Sequence, residues 1–169
     1  MATLIATAGA ANANSYCTLV EADSYHETHL YASTWTDASD DDKVIALIWA
    51  TRVLDQVCDW GGEKASSSQA LRWPRGGVYD QDNIAISVSI IPTWLKNATA
   101  EYARLLLSKD RLQEMDDALN GLKRASVGSL SVEFDSSSQI TVLPISVQNM
   151  ISHYVGGVAG GFQVPLVRV

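Results

Sequence analysis

Two histidines, His26 and His29, lie three residues apart on a segment with helical character, beside Asp23 and Glu27. Histidines at this spacing share a helix face and could bind one metal ion, but a zinc site in a protein needs three or four protein ligands. No second motif elsewhere in the sequence completes such a set. A solvated polar helix face is the better interpretation, and we predict neither a metal nor a cofactor.

Catalytic motifs are absent from the sequence, which contains no GxSxG, P-loop, GxGxxG or HExxH pattern. The serines at 66–68 and 136–138 lie in segments rich in turn-forming residues, where serine is expected for its local hydrogen bonds. Residues 80–83 (DQDN) look like part of a calcium loop but lack the glycine and the distant glutamate that complete one. We therefore predict that the protein is not an enzyme.

The segment Arg72–Arg75 (RWPR) places a tryptophan between two arginines. Proteins that bind single-stranded DNA stack bases on aromatic side chains beside cationic groups, so this segment could form part of such a site. The alternative is a packing anchor with cation–π contacts. The formal net charge of −7 favours the packing anchor, since affinity for phosphates depends on Lys and Arg. An acidic surface would also repel DNA, which suits a protein that lines a channel for DNA.

The length of 169 residues, with 47% hydrophobic and 18% charged residues, predicts one compact domain with its own core. No apolar run approaches the roughly 18 to 20 residues that a membrane span requires, and the start lacks the basic flank of a signal peptide. We expect a protein that is cytosolic when made and makes no membrane contact. Cys17 and Cys58 are predicted to be free buried thiols.

Four helices are predicted from caps and apolar spacing. Thr18 and Glu21 have capping-box spacing and predict a first helix that runs to about residue 31. Ser39 and the three aspartates after it predict the start of a long core helix that Gly61 and Gly62 end. Its apolar face repeats with helical period at Val44, Leu47, Ile48, Thr51 and Leu54. Pro92 predicts a third helix to about residue 110, and a short helix follows Pro144.

Two further elements are predicted between the helices. Residues 61–90 contain many turn formers together with large apolar side chains, which indicates a long ordered loop packed on the helices or on a neighbouring subunit. Alternating apolar residues predict a β-hairpin near residues 127–142, with its turn at 135–139. The predicted fold is mainly α: a small bundle of three to four helices with a β-hairpin, a long ordered loop and extended N- and C-terminal arms.

The domain organisation follows from these elements. Residues 1–14 are predicted to be an extended N-terminal segment, and residues 15–155 a helical domain. Residues 156–169 form a predicted arm, in which a glycine hinge precedes an apolar end that would dock on a partner as an added strand or in a groove. The partner-binding residues of this arm would be Phe162, Val164, Pro165, Leu166, Val167, Arg168 and Val169.

Three sequence segments carry a resemblance to a known family. They are Gln69–Arg75 followed by Gly77–Asp80 and Ile91–Pro92; Ser15–Tyr16 with Glu21–Tyr25; and Lys123, Ser126–Gly128, Leu130, Val132 and Phe134. Over about residues 15–145 the chain resembles a family of small tailed-phage and prophage proteins that carry a DnaT-like single-stranded-DNA-binding label.

The resemblance is interpreted as implying a structural virion protein, an adaptor or connector subunit of the neck. Such subunits would form a homo-oligomeric ring of twelve copies between the portal and the tail, with a channel through which DNA passes without specific binding. The expected partners are the portal ring and tail or neck proteins. The expected location is the head-to-tail joint of the virion, and the host cytoplasm during assembly. The alternative is a single-stranded-DNA-binding phage replication protein.

Within the adaptor interpretation, one group of residues fixes the long loop and contributes to the subunit interface. Arg75 of this group is expected to pair with a carboxylate inside the subunit or across its boundary. The whole group is Trp60, Gln69, Leu71, Trp73, Pro74, Arg75 and Tyr79.

Overall fold

A computed structural model describes residues 2–109, 126–127, 130–131 and 143–158. In these residues the helices are α1 Leu19–Glu27, α2 Ser33–Thr36, α3 Asp40–Val57, α4 Thr93–Leu106 and α5 Ile145–Ile151, followed by a 3-10 turn at Ser152–Tyr154. The short strands are β1 Cys58–Trp60, β2 Glu63–Lys64, β3 Arg75–Gly76, β4 Ser126–Val127, β5 Leu130–Ser131 and β6 Val155–Val158. The predicted mainly α fold, a small helical bundle with a β-hairpin, is confirmed, and the structure contains further small antiparallel strand pairs.

The predicted caps begin the first two long helices. Thr18 Oγ1 accepts a hydrogen bond from the Glu21 amide at 3.2 Å, and Glu21 Oε2 accepts from the Thr18 amide at 2.8 Å, which completes a capping box. Ser39 Oγ accepts from the Asp42 amide at 3.2 Å. Helix α1 ends at Glu27, earlier than predicted, because the chain turns at Thr28 and sends Trp35 of α2 into the core.

The core lies where α3 packs on α4, and α4 also contacts α1 and α5. Its fully buried side chains include Leu47, Leu54, Leu95, Tyr102 and Val147, one or two from each long element. Apolar burial of this kind stabilises each residue by about 1.5–3 kcal/mol relative to exposure. Leu47, Thr51 and Leu54 of the predicted α3 face are buried, whereas Val44 and Ile48 are half-buried. No helix in the described residues is long and apolar enough to span a membrane.

The strands close the chain around the bundle. Strand β1 pairs antiparallel with β6, so that the end of α3 is joined to the segment after α5. Strand β2 pairs with β3, which closes the loop between Glu63 and Gly76. Strands β4 and β5 pair antiparallel, with Ser126 opposite Ser131 and Val127 opposite Leu130. The turn predicted at 135–139 lies outside the described residues.

The N-terminal segment is tied to this closed loop. The Ile5 amide donates to Asn14 Oδ1 at 2.7 Å, and the Ala70 amide donates to the Ala10 carbonyl at 3.1 Å. Ala13 at the end of the segment is buried. Residues 2–14 thus contain neither helix nor strand, and the Ala70–Ala10 backbone hydrogen bond joins them to the loop.

Two glycines of the loop give a matched test of its packing. Gly62 (φ +67°) and Gly77 (φ +71°) both have left-handed backbones, but only a Cβ on Gly62 would collide, with the carbonyl oxygen of Gly76. Gly77→Ala should therefore lose about 1–2 kcal/mol for the backbone alone. Gly62→Ala should lose clearly more, because the β2–β3 pairing must also shift. Urea unfolding of both variants measures the difference, and equal losses would contradict the close approach.

Candidate nucleic-acid interface

Arg75 holds the loop together through backbone carbonyls. Its Nε donates to the Gly61 carbonyl at 2.6 Å and its Nη1 to the Arg72 carbonyl at 3.2 Å. Its Nη2 donates to the carbonyls of Trp60 at 3.2 Å and Gly62 at 2.5 Å. Within the described residues Arg75 therefore forms no ion pair with a carboxylate, and a pairing across a subunit boundary stays a prediction. A guanidinium suits this task because its five N–H donors form a fixed planar fork.

Gln69 performs a similar function at the other end of the loop. Its Oε1 accepts from the Ser66 amide at 2.9 Å, while its Nε2 donates to the carbonyls of Leu71 at 2.9 Å and Pro74 at 3.1 Å. The side chain is almost completely buried. These bonds satisfy backbone groups that a loop without regular secondary structure would otherwise leave unpaired. The consequence is a loop of defined shape around Arg72.

The tryptophan side chains that fix the loop pack in the interior of the protein. Trp60 and Trp73 pack edge to face with ring centroids 6.0 Å apart, and Trp73 meets Trp94 of α4 at 5.3 Å. Trp94 stacks on Tyr154 at 3.9 Å. With 1% of its surface exposed, Trp73 cannot offer a face to a DNA base, so it is a packing anchor. The cation–π contacts among the described residues are on Trp35 and Trp49 and not on Trp73, so that part of the expectation is not met.

The remaining predicted site residues divide by exposure. Pro74 is buried and Leu71 is half-buried, whereas Tyr79 is exposed and joins the loop through a backbone bridge to Ala85. Whether any of them contacts another subunit stays a prediction. The predicted arm from Phe162 to Val169 lies outside the described residues.

The histidine pair does not form the solvated face that was predicted. His26 is buried between Tyr25 and Trp35, and its Nε2 lies 3.1 Å from the Ala100 carbonyl. Burial lowers the pKa of His26, which keeps the ring neutral in the core. His29 faces Glu101, with Nε2 3.6 Å from Oε2. In the described part of the chain no group of three His, Cys, Asp or Glu side chains is placed to hold a metal.

Asp55 of α3 joins three parts of the chain. One carboxylate oxygen accepts a hydrogen bond from the Tyr16 hydroxyl, and the other accepts from the Arg72 amide at 3.0 Å. Tyr16 is itself buried, and its amide donates to Thr51 Oγ1 of α3 at 3.2 Å. The carboxylate therefore fixes both the N-terminal segment and the loop against the same helix.

A cleft of about 490 Å³ opens beside this junction, between the exposed side of α3 and the loop. Arg52 of α3 and Arg72 of the loop stand on its walls, together with Gln56 and Leu71. Both arginines are exposed. The ion pairs of Lys and Arg among the described residues use Lys43, Lys96 and Arg104, so neither cleft arginine has a carboxylate within 4.0 Å. We name this feature the arginine cleft.

Trp49 lies next to the cleft on α3. Its indole is 36% exposed, the largest exposure among the five tryptophans, and the Arg52 guanidinium carbon lies 5.1 Å from its ring centroid. Trp49 and Arg52 are three residues apart and so share a helix face. Sequence reasoning missed both residues, although a tryptophan outside the apolar stripe of α3 was the available signal.

The titration of Asp55 should affect how the stability of the protein depends on pH. Burial raises the pKa of Asp55 above its ordinary value of 3.8, against the opposing hydrogen bonds from Tyr16 and Arg72. The folded state then keeps the proton to higher pH than the unfolded state, so stability falls as pH rises from about 3.8 through the raised folded pKa.

Asp55→Asn removes that titration. The other carboxylates titrate alike in both proteins, so their contributions cancel in the difference between the two free energies of unfolding. In urea unfolding from pH 3.5 to 7, the advantage of wild type over Asp55→Asn should shrink as the pH rises. An advantage that stays constant, or grows, would contradict the raised pKa.

Comparison with known proteins gives a family. The family model described as "Putative DnaT-like ssDNA binding protein" matches residues 1–169. No curated protein and no solved structure matches the chain. The match contradicts the adaptor interpretation, with its portal-binding ring and channel at the head-to-tail joint, because the family description names single-stranded-DNA binding, which was the alternative. The chain belongs to the DnaT-like ssDNA binding protein family.

Proposed function

We propose that this protein binds single-stranded DNA at the arginine cleft and acts by binding rather than by catalysis. The observation that carries the proposal is the placement of two arginines without carboxylate partners on the walls of one cleft, beside the most exposed tryptophan. Cationic groups that follow the phosphates and an aromatic ring for the bases are the parts that single-strand binders combine. The family match supports the same ligand.

Each part has a distinct task in this proposal. Arg52 and Arg72 donate charge-assisted hydrogen bonds to phosphate oxygens, and the planar guanidinium suits that geometry. Trp49 stacks on a base, which only an unpaired strand can present, since bases inside a duplex stack on each other. Stacking is worth about 1–3 kcal/mol per base and tolerates any sequence. The cleft thus explains a preference for single strands without base-specific contacts.

The net charge of −7 limits how the protein can bind. A protein that relied on many phosphate contacts would need a surplus of Lys and Arg, whereas here two arginines face the cleft. Asp55 also lines the cleft, but its oxygens accept hydrogen bonds from Tyr16 and Arg72, which disperse its charge. Binding should therefore depend on stacking as much as on charge.

Removal of the cleft arginines tests the proposal. Arg52→Gln and Arg72→Gln should each weaken binding of a fluorescein-labelled dT20 oligonucleotide about tenfold, since a hydrogen bond to a charged group contributes about 1.5–3 kcal/mol. Fluorescence anisotropy at low salt measures the affinities. Lys64→Gln is the charge control, because it removes the same charge from an exposed residue of the same loop that does not line the cleft. Since Lys64 Nζ donates to the Gln69 carbonyl at 3.2 Å, urea unfolding of this variant checks that the loop is intact. If the double variant binds as wild type does, the cleft is not the site.

Salt dependence separates the arginines from Trp49. Two phosphate contacts on a single strand predict a slope of roughly −1.4 for log K against log salt concentration. Trp49→Ala should weaken binding by about 1–3 kcal/mol and leave that slope unchanged, because stacking releases no counterions. Trp49→Phe should recover part of the affinity. A slope several times steeper, or one that flattens in Trp49→Ala, would contradict this division of tasks.

A further inference from the structure

A second concave surface lies on α3, lined in part by Trp49. It is a groove of about 500 Å³ whose apolar wall includes Ile45, Trp49, Leu106 and Leu107, with Asp37 and Asp42 also lining it. Ile45 is 54% exposed in this groove. Single exposed apolar residues are common on proteins, but apolar side chains that converge on one concavity with a polar margin mark a binding surface. We name this feature the acidic groove.

The charged residues that line the acidic groove are both aspartates, while the Arg52 guanidinium lies outside the lining, 5.1 Å from the Trp49 ring centroid. Asp40 and Asp41 adjoin Asp42 in the first turn of α3. The nearest cation along the helix, Lys43, is engaged by Asp23 at 3.3 Å and Asp40 at 3.8 Å. The lining residues include no lysine or arginine. Phosphates are repelled by such a margin, so the acidic groove and the arginine cleft select ligands of opposite charge.

We propose that the acidic groove binds a basic, amphipathic helical segment of a partner protein. Leucine-like residues at positions i, i+3 or i+4 and i+7 of that segment would cover Ile45, Leu106 and Leu107, while its lysines and arginines face Asp37 and Asp42. Opposite charge at the margin fixes orientation and excludes acidic competitors. A second copy of this chain is a poor occupant, because its own net charge is −7.

The test uses a defined probe: a fluorescein-labelled 14-residue peptide of leucines and lysines, with the leucines at helical spacing. Wild-type protein should bind it with micromolar affinity in anisotropy titrations. Ile45→Glu should weaken binding at least tenfold, and Asp37→Asn should weaken it severalfold. A leucine–glutamate peptide of the same spacing should not bind.

Matched variants test whether the effect is local. Ile84→Glu changes an isoleucine of similar exposure, 63%, and Asp82→Asn removes the same charge, both in the loop away from the groove. Both should keep wild-type affinity for the peptide. The proposal would be overturned if these controls lost as much affinity for the peptide as the groove variants do. It would also be overturned if Ile45→Glu bound the peptide as wild type does.

Two further measurements distinguish other outcomes. Ile45→Glu should bind dT20 as wild type does. A loss of peptide binding at the groove can then be told apart from a loss of DNA binding at the arginine cleft. Sedimentation velocity tests the second copy as occupant. A wild-type dimer that Ile45→Glu dissociates would place a second copy in the groove and overturn the partner-helix proposal.

Discussion

The carboxylate of Asp55 is the contact on which the arrangement of the cleft depends. It accepts hydrogen bonds from the Tyr16 hydroxyl and the Arg72 amide, and thereby holds the N-terminal segment and the loop against α3. Burial opposes its ionisation, and these two donors offset part of that cost. Because Arg52 is on α3 and Arg72 is on the loop, this one carboxylate fixes the position of one arginine relative to the other.

The loop can present Arg72 because side chains of the loop bond several of its own backbone groups. Arg75 donates to four carbonyls, Gln69 bonds one amide and two carbonyls, and Trp73 is buried against Trp60 and Trp94. Side-chain hydrogen bonds to backbone groups, together with this aromatic packing, restrict the loop to one conformation. The two arginines of the RWPR segment thus differ in function: Arg75 builds the loop, and Arg72 is left to face the cleft.

Local signals predicted the helices, and non-local contacts explain what was missed. The Thr18–Glu21 box and the Ser39 cap act within three residues, so their spacing alone indicates where α1 and α3 begin. Arg75 was expected to meet a carboxylate, but the turns around Gly61 and Gly62 gather carbonyls that only the folded loop reveals. The net charge led the interpretation away from DNA because it sums the whole chain. Such a sum cannot show that acids pair with Lys43, Lys96 and Arg104, while Arg52 and Arg72 form no ion pair within 4.0 Å among the described residues.

Photocrosslinking tests the location of the DNA-binding site most directly. A single-stranded oligonucleotide that carries 5-iododeoxyuridine reacts on irradiation with aromatic side chains against which its base is stacked. After digestion with trypsin, mass spectrometry should find the adduct in the peptide of residues 44–52, which contains Trp49 and ends at Arg52. An oligonucleotide that binds and crosslinks only to peptides outside the arginine cleft would contradict the proposed site.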